Sequence, residues 1–217
     1  MKTAIIAGAT GLVGSHLLKQ LLNDQGFNKV IVFVRRSTGI SNPKLTEHII
    51  NFDDPEKWKG QVKGDVLFST LGTTIGQAGS KEAQRKVDYT YQYEIARIAS
   101  DNQVPEYVLV STPGASPKSW IFYTRIRGEL DRDVKKLGFK RIIILKPSLL
   151  AGKRENRRAG EELYARVLNG LKWLPGARKY RPIHAEVVAV AMRNAVKNPI
   201  KKSFEEYALD EIFTLNA

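Results

Sequence analysis

The stretch that decides the fold is Gly8-Ala9-Thr10-Gly11-Leu12-Val13-Gly14, which joins an apolar run, Thr3–Ala7, to an amphipathic helical pattern, Leu12–Leu22. Glycines in such a strand-to-helix turn make the turn, let the backbone approach a pyrophosphate, and allow the helix to pack closely on the strand. The helix N-terminus adds free N–H groups that attract phosphate. The predicted cofactor-binding residues of this loop are Gly8, Thr10, Gly11, Leu12, Val13 and Gly14.

Short apolar runs alternate with helical patterns from residue 3 to residue 145. The further runs are Val30–Val34, His48–Asn51, Val66–Ser69, Tyr107–Ser111 and Arg141–Leu145, and the further helical patterns are Lys81–Ser100 and Trp120–Lys136. Continuous apolar runs of this length are typical of parallel strands buried on both faces. The pattern predicts an α/β protein with a Rossmann-type, doubly wound parallel sheet.

The chain changes character after Pro147, where helical patterns appear at Gly160–Leu171 and His184–Lys197. No Ser/Gly-rich linker precedes them, so residues 1–217 are predicted to form one NAD(P)-binding domain. Within it we expect a dinucleotide-binding core at 1–150 and a small C-terminal lobe at 151–217, packed on the substrate side of that core.

Composition narrows the function classes. Among 217 residues there is no cysteine, which excludes disulfides, thiolate catalysis and cysteine-bound metal. The three histidines are scattered, so no metal site is predicted. No run approaches a membrane span, and we expect a cytoplasmic protein. The net charge of +13 would attract nucleic acid, anionic lipid or a phosphorylated ligand.

The basic segment Lys153–Arg181 carries nine Lys or Arg against three acids. A basic patch alone is usually a solvated face, and no nucleic-acid motif accompanies this one. Nucleic acid is therefore not an expected partner, whereas a small-molecule substrate is; the sequence leaves its identity and the oligomeric state open.

Arg35-Arg36-Ser37 follow the second apolar run, where folds that prefer NAD place an acid for the ribose hydroxyls. Two guanidinium groups and a hydroxyl suit a 2′-phosphate, and no acid is present to repel it, so NADP is the predicted cofactor. The alternative is a pair of solvated surface arginines.

Several further segments carry a family resemblance. The loop spacing GxxGxxG, the segment Ser69–Thr74 with its LGTT sequence, Tyr123–Glu129 and Lys146–Leu150 resemble the atypical short-chain dehydrogenase/reductases. The LGTT segment is similar to that of the Tat-interacting-protein-like NAD(P)H-binding branch. The resemblance covers most of the chain and weakens after about residue 155.

The resemblance implies further cofactor contacts. It puts adenine near Phe52 and Asp53, the middle of the cofactor beside Leu71, Gly72 and Thr73, and the nicotinamide beside Pro147, Leu149 and Leu150. Asp53 is an equally good candidate for a helix start, because Pro55 follows closely.

The same resemblance implies a catalytic set of Ser111, Tyr123 and Arg127. In the family a Tyr gives a proton to the substrate carbonyl, a Ser holds that carbonyl, and a Lys four residues after the Tyr lowers its pKa and binds the ribose. Arg127 occupies the Lys position here; it shares a helix face with Tyr123 but does not give up a proton at working pH. Alternatively, Ser111 satisfies local backbone and Tyr123 is a half-buried core aromatic.

Two function classes follow. The first is an NADP-dependent oxidoreductase acting on an unidentified carbonyl or alcohol. The second is a non-catalytic NADPH-binding regulator or sensor, which the substitution at Arg127 favours.

Overall fold

The computed structural model describes residues 1–151, 180–197, 199–200 and 202–216. Its strands are β1 (Lys2–Ala7), β2 (Phe27–Val34), β3 (Leu45–Ile49), β4 (Val66–Ser69), β5 (Glu106–Val110), β6 (Arg141–Lys146), β7 (Leu150–Ala151), β8 (Ile183–His184) and β9 (Phe204–Ala208). Seven of them form one parallel sheet in the order β3-β2-β1-β4-β5-β6-β9, while β7 and β8 pair separately.

The helices lie between and after these strands. They are α1 (Leu12–Asn23), α2 (Ile75–Ala78), α3 (Lys81–Arg85), α4 (Tyr91–Asp101), α5 (Phe122–Val134) and α6 (Ala185–Ala195), with a π-helical turn at Lys86–Thr90 and short 3₁₀ turns at Pro55–Lys57, Lys59–Gln61 and Leu209–Asn216.

Successive residues of each central strand point into different cores. Ile6 on β1 packs in the layer with α1 and α6, whereas its neighbour Ile5 packs in the layer with α4 and α5. Both residues are fully buried. Because both faces are covered, the strands carry continuous rather than alternating apolar residues, and the Rossmann-type α/β prediction is confirmed.

The largest departure from the sequence prediction is β9, which we did not predict. Phe204–Ala208 pairs with β6 at the edge of the sheet. It carries Glu205 and Glu206, so its sequence does not have the continuous apolar pattern that predicts a buried strand. The predicted helix at Lys81–Ser100 is interrupted by the π-helical turn. The predicted helix at Gly160–Leu171 lies outside the described residues.

The C-terminal residues that the structure describes pack directly on the core. Helix α6 lies against α1, and β9 extends the sheet beside β6. The division of the chain near residue 150 stays a prediction.

The chain places its first strands on one side of β1 and its later strands on the other side. β1 therefore has β2 on one side and β4 on the other. In open parallel sheets, ligands bind in the crevice that such a change of side leaves at the carboxyl ends of the strands. The glycine loop follows β1 and therefore lies at this crevice.

Two glycines of the loop are fixed by close approach. Gly8 has a φ of +94°, and a Cβ there would lie 2.8 Å from the backbone nitrogen of Leu71. A Cβ on Gly14 would lie 2.1 Å from the Gly8 carbonyl oxygen. These positions hold α1 against the ends of β1 and β4, so glycine is a structural requirement at both.

We expect Gly14→Ala to lower the free energy of unfolding by about 1–3 kcal/mol, because the added methyl group meets backbone that cannot move aside cheaply. Chemical denaturation measures the change. Gly60→Ala is the matched control, since a Cβ at Gly60 meets nothing within 4 Å, and it should shift stability by less than about 1 kcal/mol. Equal stabilities for the two variants would contradict this packing.

Candidate active site

The glycine loop borders a cavity of about 450 Å³. Its wall is the N-terminus of α1, which has no side-chain cap and no acidic residue in its first turn, so its amide groups face the cavity without a competing anion. Of the predicted cofactor residues, this cavity is lined by Thr10, Gly11, Leu12, Val13, Leu71, Gly72, Thr73, Tyr123, Arg127 and Leu150.

A second cavity of about 760 Å³ lies beside the first, at the ends of β5, β6 and β9. Pro147 and Leu149 line it, together with Lys146 and Glu206. Both cavities are lined by Ser111, Tyr123 and Leu150. The predicted catalytic hydroxyls thus stand where the two spaces meet.

Helix α5 brings Tyr123 to this junction. The helix passes very close to the preceding loop, because a Cβ on Gly128 would lie 2.2 Å from the backbone carbon of Ser116. Only glycine fits there, and the contact fixes the depth of the helix. Ser111 comes directly after β5 and is buried, so a strand end and a helix supply the two hydroxyls.

Arg127 is buried and bound to backbone and carboxylate. Its side chain is 3% exposed, its Nη1 lies 3.5 Å from Asp88 Oδ1, and its Nη2 donates to the Val110 carbonyl. Asp88 Oδ2 in turn accepts from the Thr73 amide at 3.2 Å. The guanidinium therefore ties the end of β5 to the π-helical turn while it lines the smaller cavity.

A buried carboxylate lies further along α5. Asp131 is 4% exposed, and its Oδ2 lies 3.3 Å from Lys146 Nζ. Burial raises the pKa of Asp131, whereas Arg127, the Ser111 hydroxyl and Lys146 oppose that shift. Sequence reasoning missed Asp131, although its spacing of eight residues from Tyr123 puts it on the same helix face.

The residues predicted to bind the 2′-phosphate lie outside both cavities, past the end of β2. Arg35 and Arg36 are exposed and form no hydrogen bond or ion pair with the residues that the structure describes. Ser37 donates to Glu47 Oε2 at 2.7 Å, and the Thr38 amide donates to Glu47 Oε1 at 3.0 Å.

Glu47 corrects one part of the sequence argument. We inferred that no acid stands near the arginine pair, but β3 is parallel to β2 and delivers Glu47 from the neighbouring strand. The Thr38 and Ser37 hydrogen bonds lower the pKa of Glu47, so it is ionised at neutral pH. Its oxygens are occupied in holding the turn.

The predicted adenine residues divide between core and surface. Phe52 is buried against Trp58 and Tyr91, with ring centroids 6.0 Å and 5.1 Å away. Asp53 binds Lys86 Nζ at 2.7 Å and accepts from the Tyr91 hydroxyl at 3.0 Å. Asp54, rather than Asp53, is the N-cap residue of the following 3₁₀ turn, and its side chain makes no capping hydrogen bond.

Across the described ranges, no group of three or more His, Asp or Glu side chains could hold a metal ion. In the same ranges no helix has the length and apolar character needed to cross a membrane.

Comparison with known proteins settles the family. Residues 8–164 match the protein family described as NAD(P)H-binding. The chain belongs to this NAD(P)H-binding family. The match takes in the glycine loop and every predicted catalytic residue.

Curated relatives in the family cover nearly the whole chain. The chain is 35% identical over 213 residues to the protein named Fmp52, mitochondrial, of Aspergillus niger, covering 90% of this chain and 87% of that protein. With Fmp52-1, mitochondrial, of Scheffersomyces stipitis it shares 34% identity over 224 residues, covering 97% and 98%.

Solved structures confirm the fold at low identity. MoeE5 in complex with UDP-glucuronic acid and NAD superposes with a TM-score of 0.73 at 13% identity, covering 95% of this chain and 76% of MoeE5. The Bordetella bronchiseptica enzyme WbmH in complex with NAD⁺ gives 0.70 at 17%, covering 96% and 75%. At these identities the superpositions show that the fold is shared.

The predicted cytoplasmic location is wrong, because the curated Fmp52 relatives are named mitochondrial. The sequence has no cysteine and no long apolar run, but proteins of the cytoplasm and proteins of mitochondria can both have this composition. These features therefore do not indicate which of the two compartments holds the protein.

We expect Arg127→Lys to lower the free energy of unfolding by about 1–3 kcal/mol, because one ammonium group cannot contact both Asp88 and the Val110 carbonyl as the guanidinium does. Denaturant unfolding measures the loss. Arg132→Lys, on the exposed side of α5, is the control and should change stability by less than about 0.5 kcal/mol. An unchanged stability in Arg127→Lys would show that these contacts are unimportant.

Proposed function

We propose that this chain is an NADP-dependent oxidoreductase that transfers hydride between the nicotinamide and a small carbonyl or alcohol. One observation carries the proposal: the cavity beside the glycine loop and the larger neighbouring cavity meet at Ser111 and Tyr123. A hydride acceptor in the larger cavity would lie beside both hydroxyls.

The residues around the smaller cavity fit a dinucleotide. On the protein side, a Cβ on Gly11 would meet only the carbonyl oxygens of Gly8 and Thr70, at 3.2 and 3.8 Å. The rest of the space next to Gly11 is left for a phosphate at the N-terminus of α1. When bound, the dinucleotide supplies the hydride.

We assign the remaining roles as follows. Gly11, Leu12 and Val13 hold the pyrophosphate; Leu71, Gly72 and Thr73 lie along the middle of the cofactor; Pro147, Leu149 and Leu150 border the nicotinamide. Asp53 and Phe52 mark the adenine end. The LGTT sequence at Leu71–Thr74 supports placing the chain in the Tat-interacting-protein-like branch.

The preference for NADP rests on Arg35 and Arg36. Both are exposed and unpaired among the described residues, so they are available for a 2′-phosphate. Glu47 forms no ion pair with either arginine among the described residues; its carboxylate accepts hydrogen bonds from Ser37 and Thr38. It stabilises the turn that presents the arginines.

Tyr123 is the group placed to move the proton. It is half-buried at the junction, where it can give its phenol proton to a carbonyl oxygen that the Ser111 hydroxyl holds. Arg127 lines the same cavity, where its guanidinium can donate hydrogen bonds.

A non-catalytic NADPH sensor is the second candidate. The observation that favours it is the binding of Arg127 to Asp88 and Val110, which gives this side chain a structural task in place of proton transfer. Tight NADPH binding without turnover of any carbonyl would favour the sensor. The basic segment Lys153–Arg181 lies almost wholly outside the described residues.

We expect NADPH to bind about 10- to 100-fold more tightly than NADH, since an arginine–phosphate contact contributes about 1.5–3 kcal/mol. Titration calorimetry with both cofactors measures the ratio, and Arg35→Ala/Arg36→Ala should bring it close to one. The control Lys63→Ala/Lys140→Ala removes the same charge at exposed positions before β4 and β6, and it should keep the wild-type ratio. A double arginine variant with an unchanged ratio would refute the assignment.

We expect Tyr123→Phe to slow carbonyl reduction by about 10²- to 10⁴-fold, because the variant cannot supply the proton that must follow the hydride. NADPH oxidation with phenanthrenequinone as the carbonyl measures the rate. NADPH affinity should change little, since the lost hydroxyl does not hold the phosphates. A variant as fast as the wild type would rule out this mechanism and favour the sensor.

A further inference from the structure

The pairing of β5 with β6 puts Lys146 beside Ser111. The Ser111 amide donates to the Leu145 carbonyl oxygen at 2.7 Å, and Val110 is the partner of Leu145 in the ladder of the two strands. Ser111 and Lys146 are the next residues on these strands, and neighbouring strands lie about 4.8 Å apart. Lys146 is therefore the cross-strand neighbour of the serine that the proposed function places against the substrate carbonyl.

Both side chains lie on the face of the sheet that α5 covers. Leu109 on β5 and Ile144 on β6 are paired and pack in that layer, and residues two apart on a strand share a face. Ser111 and Lys146 follow them by two positions, and both line the larger cavity together with Tyr123. A group bound to Lys146 would thus lie next to a carbonyl oxygen held by Ser111 and Tyr123.

Lys146 has hydrogen-bond donors left for a ligand. Its side chain is 12% exposed, and an ammonium group has three N–H donors. Among the described residues, Glu206 Oε1 accepts from it at 2.9 Å, and Asp131 Oδ2 forms an ion pair with it at 3.3 Å. Burial by itself lowers the pKa of Lys146, but Glu206 and Asp131 outweigh burial and raise that pKa. Lys146 is therefore a fixed cationic donor at neutral pH.

We infer that Lys146 binds a second oxygen on the carbon next to the reacting carbonyl, and that the substrates are neutral 1,2-dicarbonyl compounds. The inference rests on the proposed oxidoreductase function and names its substrate class. One carbonyl carbon accepts hydride from the reduced nicotinamide dinucleotide, its π bond breaks, and its oxygen takes the Tyr123 phenol proton, which solvent replaces. The second carbonyl stays intact on Lys146, so the product is a 2-hydroxy ketone.

Glu206 makes a neutral oxygen a better partner for Lys146 than a carboxylate. Among the described residues, Lys146 and Glu206 are the charged groups around the larger cavity, and the remaining lining is uncharged. A substrate carboxylate on Lys146 would stand beside the like charge of Glu206 and compete with it for the ammonium group. A carbonyl oxygen needs one N–H and leaves the ion pair intact, so the cavity favours uncharged dicarbonyls over 2-oxo acids.

Acenaphthenequinone and acenaphthenone test the second oxygen, since the monoketone keeps the ring system and has a methylene group in place of one carbonyl. NADPH oxidation gives kcat/KM for each compound, and a competitive inhibition constant replaces it where the monoketone is not reduced. Lys146→Met should lower the ratio of quinone to monoketone by about tenfold or more, because it removes a charged donor that only the quinone uses. Both compounds are measured on one preparation, so a partial loss of fold does not change the ratio.

Lys135→Met is the matched control. Lys135 lies 3.8 Å from Glu206 Oε2 and is not among the residues described around the cavity, so the ratio should stay within about twofold of the wild-type value. Lys146→Arg keeps a cation with several donors, and its ratio should lie above that of Lys146→Met. Thermal melting shows which variants fold, and if Lys146→Met does not, the charge comparison below decides.

The charge comparison uses 1-naphthylglyoxylate, a 2-oxo acid, and its methyl ester. The wild type should reduce the ester about tenfold faster or more, and Glu206→Gln should narrow this gap by about tenfold, because it removes the like charge beside Lys146. Asp210→Asn is the matched control: Asp210 is exposed in the turn after β9 and is not among the residues described around the cavity, so the gap should stay as in the wild type.

The outcomes separate the two proposals. If the wild type binds neither NADPH nor NADH, the proposed function fails. If it reduces acenaphthenequinone and loses that activity in Tyr123→Phe, while Lys146→Met keeps the wild-type ratio, the dicarbonyl assignment alone is overturned. A wild type that prefers the 2-oxo acid to its ester, or a Glu206→Gln variant with an unchanged gap, overturns the preference for neutral substrates. NADPH binding without turnover of any carbonyl also overturns the inference and favours the sensor.

Discussion

The closeness of the glycine loop to the end of β4 is the constraint on which the rest of the structure depends. The Thr70 hydroxyl donates to the carbonyl oxygens of Ala7 and Gly8 at 3.1 Å each, and Gly8 and Gly14 have no side chain to keep these segments apart. This contact sets where α1 begins. It also sets the distance between the loop and the segment Leu71–Thr73, and so the width of the smaller cavity.

The sequence was informative where burial and backbone geometry left few choices. The apolar runs predicted the five inner strands, β2, β1, β4, β5 and β6, because parallel strands covered on both faces must be continuously apolar. They placed the edge strand β3 at His48–Asn51, whereas it lies at Leu45–Ile49. Gly8 and Gly14 of the loop were readable because only glycine fits their positions. Strand β9 was not readable, since it lies at the edge of the sheet and carries Glu205 and Glu206, which pair with Arg141 and Lys146. Polar pairing of this kind leaves no periodic apolar signal.

Individual site residues were predictable, but their partners were not. A resemblance pointed to Ser111, Tyr123 and Arg127, and the structure puts all three around one cavity. The resemblance could not show that Arg127 binds Asp88 and Val110, that Glu47 reaches the arginine turn from the next strand, or that Asp131 and Lys146 meet. These contacts join positions far apart in the chain, and no local pattern records which side chains a parallel sheet brings side by side.

The pairing of β9 with β6 has a consequence for how the protein matures. Lys146 and Glu206 are 60 positions apart, and β9 provides one wall of the larger cavity through Glu206 and Ala208. During synthesis, the glycine loop and the strands around it leave the ribosome well before that wall exists. A nascent chain can therefore form the dinucleotide crevice first and enclose the neighbouring space only when its last strand joins the sheet edge.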